Sequence, residues 1–229
     1  MKTHPALDFL RRLADNNNRV WFAEHRSEYD DVRAQWLAEV DRYIARLAEH
    51  DPRVAHQQAK SQVYRIYRDT RFSPDKTPYK TYFSAAFQVE GRRDERAGYY
   101  LQMDNRPEEG GIYGGLWCPD AQELRKLRHA IVDNIDELRD ILDEPELRRL
   151  YGERWCGPAL KTAPAGWPKD HPCIELLRLK SYGKFHSLPP EFFSRPDWPE
   201  EAADRTAPLR PLIDFINYSL DESTPTWNV

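Results

Sequence analysis

Thr81-Tyr82-Phe83-Ser84-Ala85-Ala86-Phe87-Gln88-Val89-Glu90 runs into Gly91 and a polar turn, Arg92 to Arg96. Ala97-Gly98-Tyr99-Tyr100-Leu101-Gln102-Met103-Asp104 follows, then a second turn, Asn105 to Gly110, and then Gly111-Ile112-Tyr113-Gly114-Gly115-Leu116-Trp117. The first segment is rich in aromatics, and all three are bounded by turn residues, so they read as strands. The connections are too short for parallel neighbours, which need a long crossover. The three strands therefore form an antiparallel meander.

Helices flank this meander on both sides. Leu7, Leu10, Leu13 and Ala14 recur at helical spacing until Asn16, Asn17 and Asn18 interrupt them. Asn18 suits the cap of a short turn through Val20, Trp21 and Phe22. Tyr29, Val32, Trp36, Val40, Tyr43, Ile44 and Leu47 form one apolar stripe, and Asp51-Pro52 ends that helix. After Cys118-Pro119-Asp120, helical spacing runs from Leu124 to Leu142. A short helix through Leu147 and Leu150 ends at Gly152. Residues 153–172 read as loop and turns, and Ile174 to Leu188 as a short helix passing into a strand. A final helix spans about Pro199 to Leu220, with Pro208 and Pro211 disturbing its middle. The class is α+β. A meander at about 81–117, joined by a strand near 178–188, packs against N-terminal and C-terminal helices in a single domain, 1–229.

The 229 residues are enough to bury a core without staples. There are 34 basic and 38 acidic residues, a net charge of −4, so no global basic field draws in nucleic acid. No stretch has the apolar length to span a membrane, and residues 1–18 lack a signal-peptide core. The three cysteines, Cys118, Cys156 and Cys173, are widely spaced. That argues against a secreted disulfide framework and for reduced thiols in a cytoplasmic protein.

The densest signal is Tyr64-Arg65-Ile66-Tyr67-Arg68-Asp69-Thr70-Arg71-Phe72-Ser73-Pro74-Asp75-Lys76-Thr77-Pro78-Tyr79-Lys80. Arg65, Arg68, Arg71, Lys76 and Lys80 meet only Asp69 and Asp75, a local surplus of three positive charges in an acidic chain. Guanidinium forks suit carboxylate or phosphate. The pattern Arg65-x-x-Arg68-Asp69-x-Arg71-Phe72-x-x-Asp75-Lys76-x-x-Tyr79 resembles the signature of a bacterial conserved-hypothetical family, a domain of unknown function. The Asn-rich opening before Trp21-Phe22, the Tyr113-Gly114-Gly115 element and His171-Pro172 are also similar. The resemblance spans nearly the whole chain and carries no activity or cofactor with it.

Three readings of the motif stand open. It forms a pocket for a small anionic ligand, with Arg65, Arg68, Asp69, Arg71, Asp75, Lys76, Tyr79 and Lys80 as its walls. Or it is the surface of a non-catalytic module that holds a protein or nucleic acid. Or it is an internal Arg–Asp network that fixes the turn into the first strand. The pocket reading requires that Arg68 and Arg71 are not both fully paired with the motif's own acids in the absence of an adjoining cavity.

A second basic stretch could supply another wall. On a continuous strand, Arg178, Lys180, Tyr182, Lys184 and His186 would share one face; a solvated strand face is the plainer alternative. Gly110, Gly111, Gly114 and Gly115 read as a tight turn or close backbone approach rather than a phosphate cradle, because no helix start follows them. The seven histidines form no i, i+4 pair and no close Cys–His cluster. No hydrolase elbow is present. Asp69, Asp75, His171 and His186 are the residues to inspect for acid–base work, and the cysteines read as buried or idle. The sequence leaves the reaction, the cofactor and the oligomeric state open.

Overall fold

The computed structural model describes residues 3–89, 91 and 95–221. In chain order the helices α1 (Pro5–Asp15), α2 (Arg19–Glu24), α3 (Arg26–His50) and α4 (Ala59–Gln62) precede the strands β1 (Tyr82–Phe87), β2 (Gly98–Asp104) and β3 (Gly111–Leu116). Then come α5 (Ala121–Asp133), α6 (Ile135–Asp143), α7 (Pro145–Tyr151), α8 (Ile174–Leu177) and β4 (Tyr182–Ser187). The chain ends in α9 (Trp198–Thr206) and α10 (Arg210–Asp221). The strands make one sheet in the order β1-β2-β3-β4, so the α+β meander with flanking helices is the fold. Part of the polar turn expected at 92–96, and Glu90, lie outside the described residues.

The chain forms two compact units. One comprises residues 1–94, 99–112 and 186–207; the other comprises 95–98, 113–185 and 208–229. In the first unit the register Phe83↔Met103, Ala85↔Leu101 and Phe87↔Tyr99 puts all six side chains on one face, and all six are buried. The α3 stripe lies against that face: Trp36 meets Phe83 at 5.9 Å and Tyr43 meets Phe87 at 5.0 Å between ring centroids. Trp36 also stacks on Trp198 of α9, and the Tyr43 hydroxyl is hydrogen-bonded to the Thr206 hydroxyl at 2.8 Å. Burial pushes the Tyr43 pKa upward, since the charged form has no water to solvate it.

In the second unit β3 and β4 approach closely. A Cβ on Gly115 would lie 2.2 Å from the Tyr182 carbonyl oxygen, and one on Gly183 would lie 2.1 Å from the Tyr113 hydroxyl. Gly115 also has φ +138°, where L side chains are strained. These glycines make room for backbone and ring. Gly110 lies beside the Leu188 backbone, in the other unit, for the same reason.

Three boundaries differ from the sequence reading. The helix expected from Leu124 to Leu142 divides at Asn134, whose backbone leaves helical values (φ −123°, ψ 38°) while its N–H and side-chain amide both donate to the Ala130 carbonyl. The last helix divides at a 3-10 turn, Ala207–Leu209, because Pro208 has no N–H to continue it. The fourth strand begins at Tyr182 rather than near 178. Arg178 is still helical at the end of α8, and its carbonyl accepts from Leu160 N–H. Arg178 and Lys180 therefore do not sit on a strand face with Lys184 and His186.

Candidate functional site

The basic motif folds as a hairpin leading into β1. The Tyr64 N–H donates to the Ser84 carbonyl at 2.9 Å, Lys80 N–H to Ile66 at 2.8 Å and Arg68 N–H to Pro78 at 2.9 Å. Tyr67 pairs with Tyr79, which leaves residues 69–77 as the tip. Pro78 fits because only its carbonyl is needed there. Alternation puts Arg65 and Tyr67 on one face, the face opposite buried Ile66.

Inside the hairpin the charges pair with one another. Arg71 grips Asp69 with two guanidinium nitrogens, at 3.0 and 2.7 Å, and its backbone N–H donates to the same carboxylate. Those bonds hold the Asp69 carboxyl down to about 2. Arg68 bonds to Asp75 and to the Thr77 hydroxyl, and donates to the Thr77 carbonyl at 3.1 Å. Asp75 also accepts the Thr77 N–H at 2.9 Å, and this bond, with Arg68, lowers its pKa. Lys76 donates to the Thr70 carbonyl, and the Lys80 ammonium stands over Tyr64 and Tyr82. Arg65 is exposed and has no ion pair among the described residues.

The hairpin rests on an aromatic platform that the Asn-rich segment helps to build. Asn17 behaves like a short strand edge: its side-chain amide donates to the Tyr79 carbonyl at 2.9 Å and accepts Tyr79 N–H at 3.1 Å. Asn18 caps α2 through Val20 and Trp21, as its sequence position indicates. Phe22 of α2 then stacks on Tyr79, with centroids 4.1 Å apart. Arg26, already paired with Asp30, reaches the Tyr67 hydroxyl at 3.4 Å.

Beside these charges the surface presents large apolar side chains to solvent. Among the described residues there are five exposed large hydrophobic side chains, and three belong to the hairpin or α2: Phe72 (93% exposed), Val20 (69%) and Tyr67 (43%). The Arg71 guanidinium lies over the Phe72 ring at 5.8 Å.

The second basic stretch is arranged differently. Arg178 donates to the Leu160 carbonyl at 2.7 Å and to Lys161 at 3.1 Å, and pairs with Glu175. Lys184 is buried; its ammonium donates to the carbonyls of Gly152 and Glu153, just past α7, and lies over Trp155. Burial pushes the Lys184 pKa down to about 8. Lys180 is exposed. His186, in the first unit, accepts from Arg205 at 3.1 Å. His171 accepts the Cys173 N–H. Cys173 is buried, Cys156 has its thiol pKa raised by burial, and Cys118 is exposed. Among the described residues no group of three or more His, Cys, Asp or Glu could hold a metal ion, and no helix is long and apolar enough to cross a membrane.

A family model for conserved hypothetical proteins, DUF2461, matches residues 5–215. The chain belongs to the DUF2461 family. No curated protein and no solved structure matches it. The DUF2461 match takes in both the Asn17 clamp and the hairpin it holds.

Several residues at this surface were not among the sequence-derived ligand residues: Asn17, Arg19, Val20, Arg26, Tyr67 and Phe72. The signal for Phe72 was present, as a lone large apolar residue among charges and turn formers. Asn17 gave none beyond its place in an Asn run, because its partner is 62 positions away.

Proposed function

We propose that this chain is a non-catalytic protein-interaction module, with the hairpin of residues 64–80 as its contact element. The observation that carries this reading is Phe72, 93% exposed at the tip of a hairpin whose shape is held by Arg68–Asp75 and Arg71–Asp69. An exposed aromatic on a braced support loses little conformational freedom on binding, and aromatic and arginine side chains dominate binding hot spots. The anion-pocket reading needs guanidinium groups directed at a ligand. Arg68 and Arg71 are directed instead at carboxylates of the same hairpin, which favours docking. Val20 and Tyr67 widen the apolar contact around the tip. The role fits the cytoplasm, where the free thiols would stay reduced.

The test is photo-crosslinking in cells, with a benzophenone amino acid in place of Phe72 in the full chain. The control carries it at exposed Arg139 on α6. A discrete protein adduct from position 72, absent from position 139, is expected. No adduct, or the same adducts from both positions, would overturn docking through the hairpin. An adduct to nucleic acid would assign the surface to a different class of partner.

A further inference from the structure

Most arginines in the first unit are matched to a carboxylate. Arg11 and Arg12 bond to Asp8, Arg26 to Asp30, Arg42 to Glu200, Arg46 to Asp204 and Arg53 to Asp51. Arg68, Arg71, Arg106, Arg195 and Arg205 are paired as well. Among the described residues of this unit, Arg19, Arg33 and Arg65 are the arginines without a carboxylate partner.

These three are grouped around the hairpin and its platform. Arg19 is exposed and opens α2, whose Phe22 stacks on Tyr79. Arg33 stands one helical turn along α3 from Tyr29, whose ring packs 5.0 Å from Phe22. Arg65 is exposed and shares a face with Tyr67. Because the other described guanidiniums of this unit are paired internally, these three are placed to take carboxylates from outside.

We infer that the partner presents an acidic protein segment: carboxylates placed to meet Arg19, Arg33 and Arg65 around an apolar site that receives Phe72. This rests on the docking reading and adds the partner's chemistry to it. Separate carboxylates can match three separate guanidiniums. A continuous polyphosphate fits less well, since Asp30, Asp69 and Asp75 are fixed on the same surface by Arg26, Arg71 and Arg68 and would face it. The chain's net charge of −4 also provides no long-range attraction for nucleic acid.

The experiment is an NMR titration of the isotope-labelled full chain with three probes. They are a short peptide of glutamates around a central leucine–tryptophan pair, the same peptide with lysines for glutamates, and oligothymidylate. The acidic peptide should move the amides of α2, Arg33 and residues 65–72. Arg19→Gln combined with Arg65→Gln should weaken it roughly tenfold, with the spectrum otherwise unchanged. Oligothymidylate acting on the same amides at lower concentration would overturn the inference in favour of nucleic acid. No response to the acidic peptide, or an equal response to the lysine peptide, would overturn it too. The crosslink from position 72 assumes nothing about partner charge. An adduct there combined with a failed titration defeats this inference alone, whereas a missing adduct defeats the docking reading beneath it.

Discussion

The hairpin at 64–80 and the stretch from Arg178 to His186 are alike in sequence, each basic and interleaved with aromatics, and the fold uses them in opposite ways. The hairpin keeps its cations at the surface, and its own acids, two and seven positions from the arginines they bind, hold its shape. The later stretch has no acid between Glu175 and Glu191. Its central cation, Lys184, is buried and donates to backbone carbonyls, while Arg178 ties down the preceding loop. Interleaved acids let a basic segment stabilise itself in water. A basic segment without them must be solvated or must find carbonyls inside the fold.

Removing Lys184 should give the largest effect. Lys184→Met leaves the Gly152 and Glu153 carbonyls without their donor, and should lower stability by about 2–4 kcal/mol in denaturant unfolding. A loss as small as a surface substitution gives would make the two basic regions equivalent and break the contrast.

The same residue sets a pH signature. Its folded pKa, near 8, lies below the 10.5 of an unperturbed lysine. Between those values the unfolded chain holds the extra proton, so stability attributable to Lys184 rises with pH across that window. The rise, read as wild type minus Lys184→Met, should total at most about 3 kcal/mol. A flat difference would place the ammonium in water.

Smaller effects belong to the hairpin. Asn17→Ala removes both bonds to Tyr79, and should cost about 1–2 kcal/mol and speed amide exchange at Tyr79 and Lys80. Phe72→Ser should change stability by less than about 0.5 kcal/mol, since nothing but solvent and Arg71 covers the ring. Asp69→Asn should matter least. The Asp69 carboxylate helps the folded state above pH 3.8, and that help disappears as pH falls through about 2. Acid unfolding of the variant should nearly overlay the wild type.

Much of the fold could be read from local pattern. The meander followed from short polar turns between aromatic segments. The Leu124–Leu142 periodicity concealed the break at Asn134, because apolar spacing continued through a residue whose backbone leaves helical values. The candidate surface was half legible. The crowding of charge marked the hairpin, but Arg68 and Arg71 could not be distinguished as braces from Arg65 as a free cation without the turn that places Asp69 and Asp75. Lys184 was misleading for a similar reason, since its carbonyl partners lie some thirty positions away and carry no sequence signal.

The most direct test of the account exchanges the partners of one brace. A chain with Asp69→Arg and Arg71→Asp keeps the ion pair and the net charge while reversing its direction. Its yield of crosslinked partner would be compared with that of Phe72→Ser, using a photoreactive residue at Tyr67. The exchanged chain should retain most of the adduct, and Phe72→Ser should lose it. Loss in the exchanged chain with retention in Phe72→Ser would contradict it, and would make the Arg71 guanidinium a ligand contact rather than a brace.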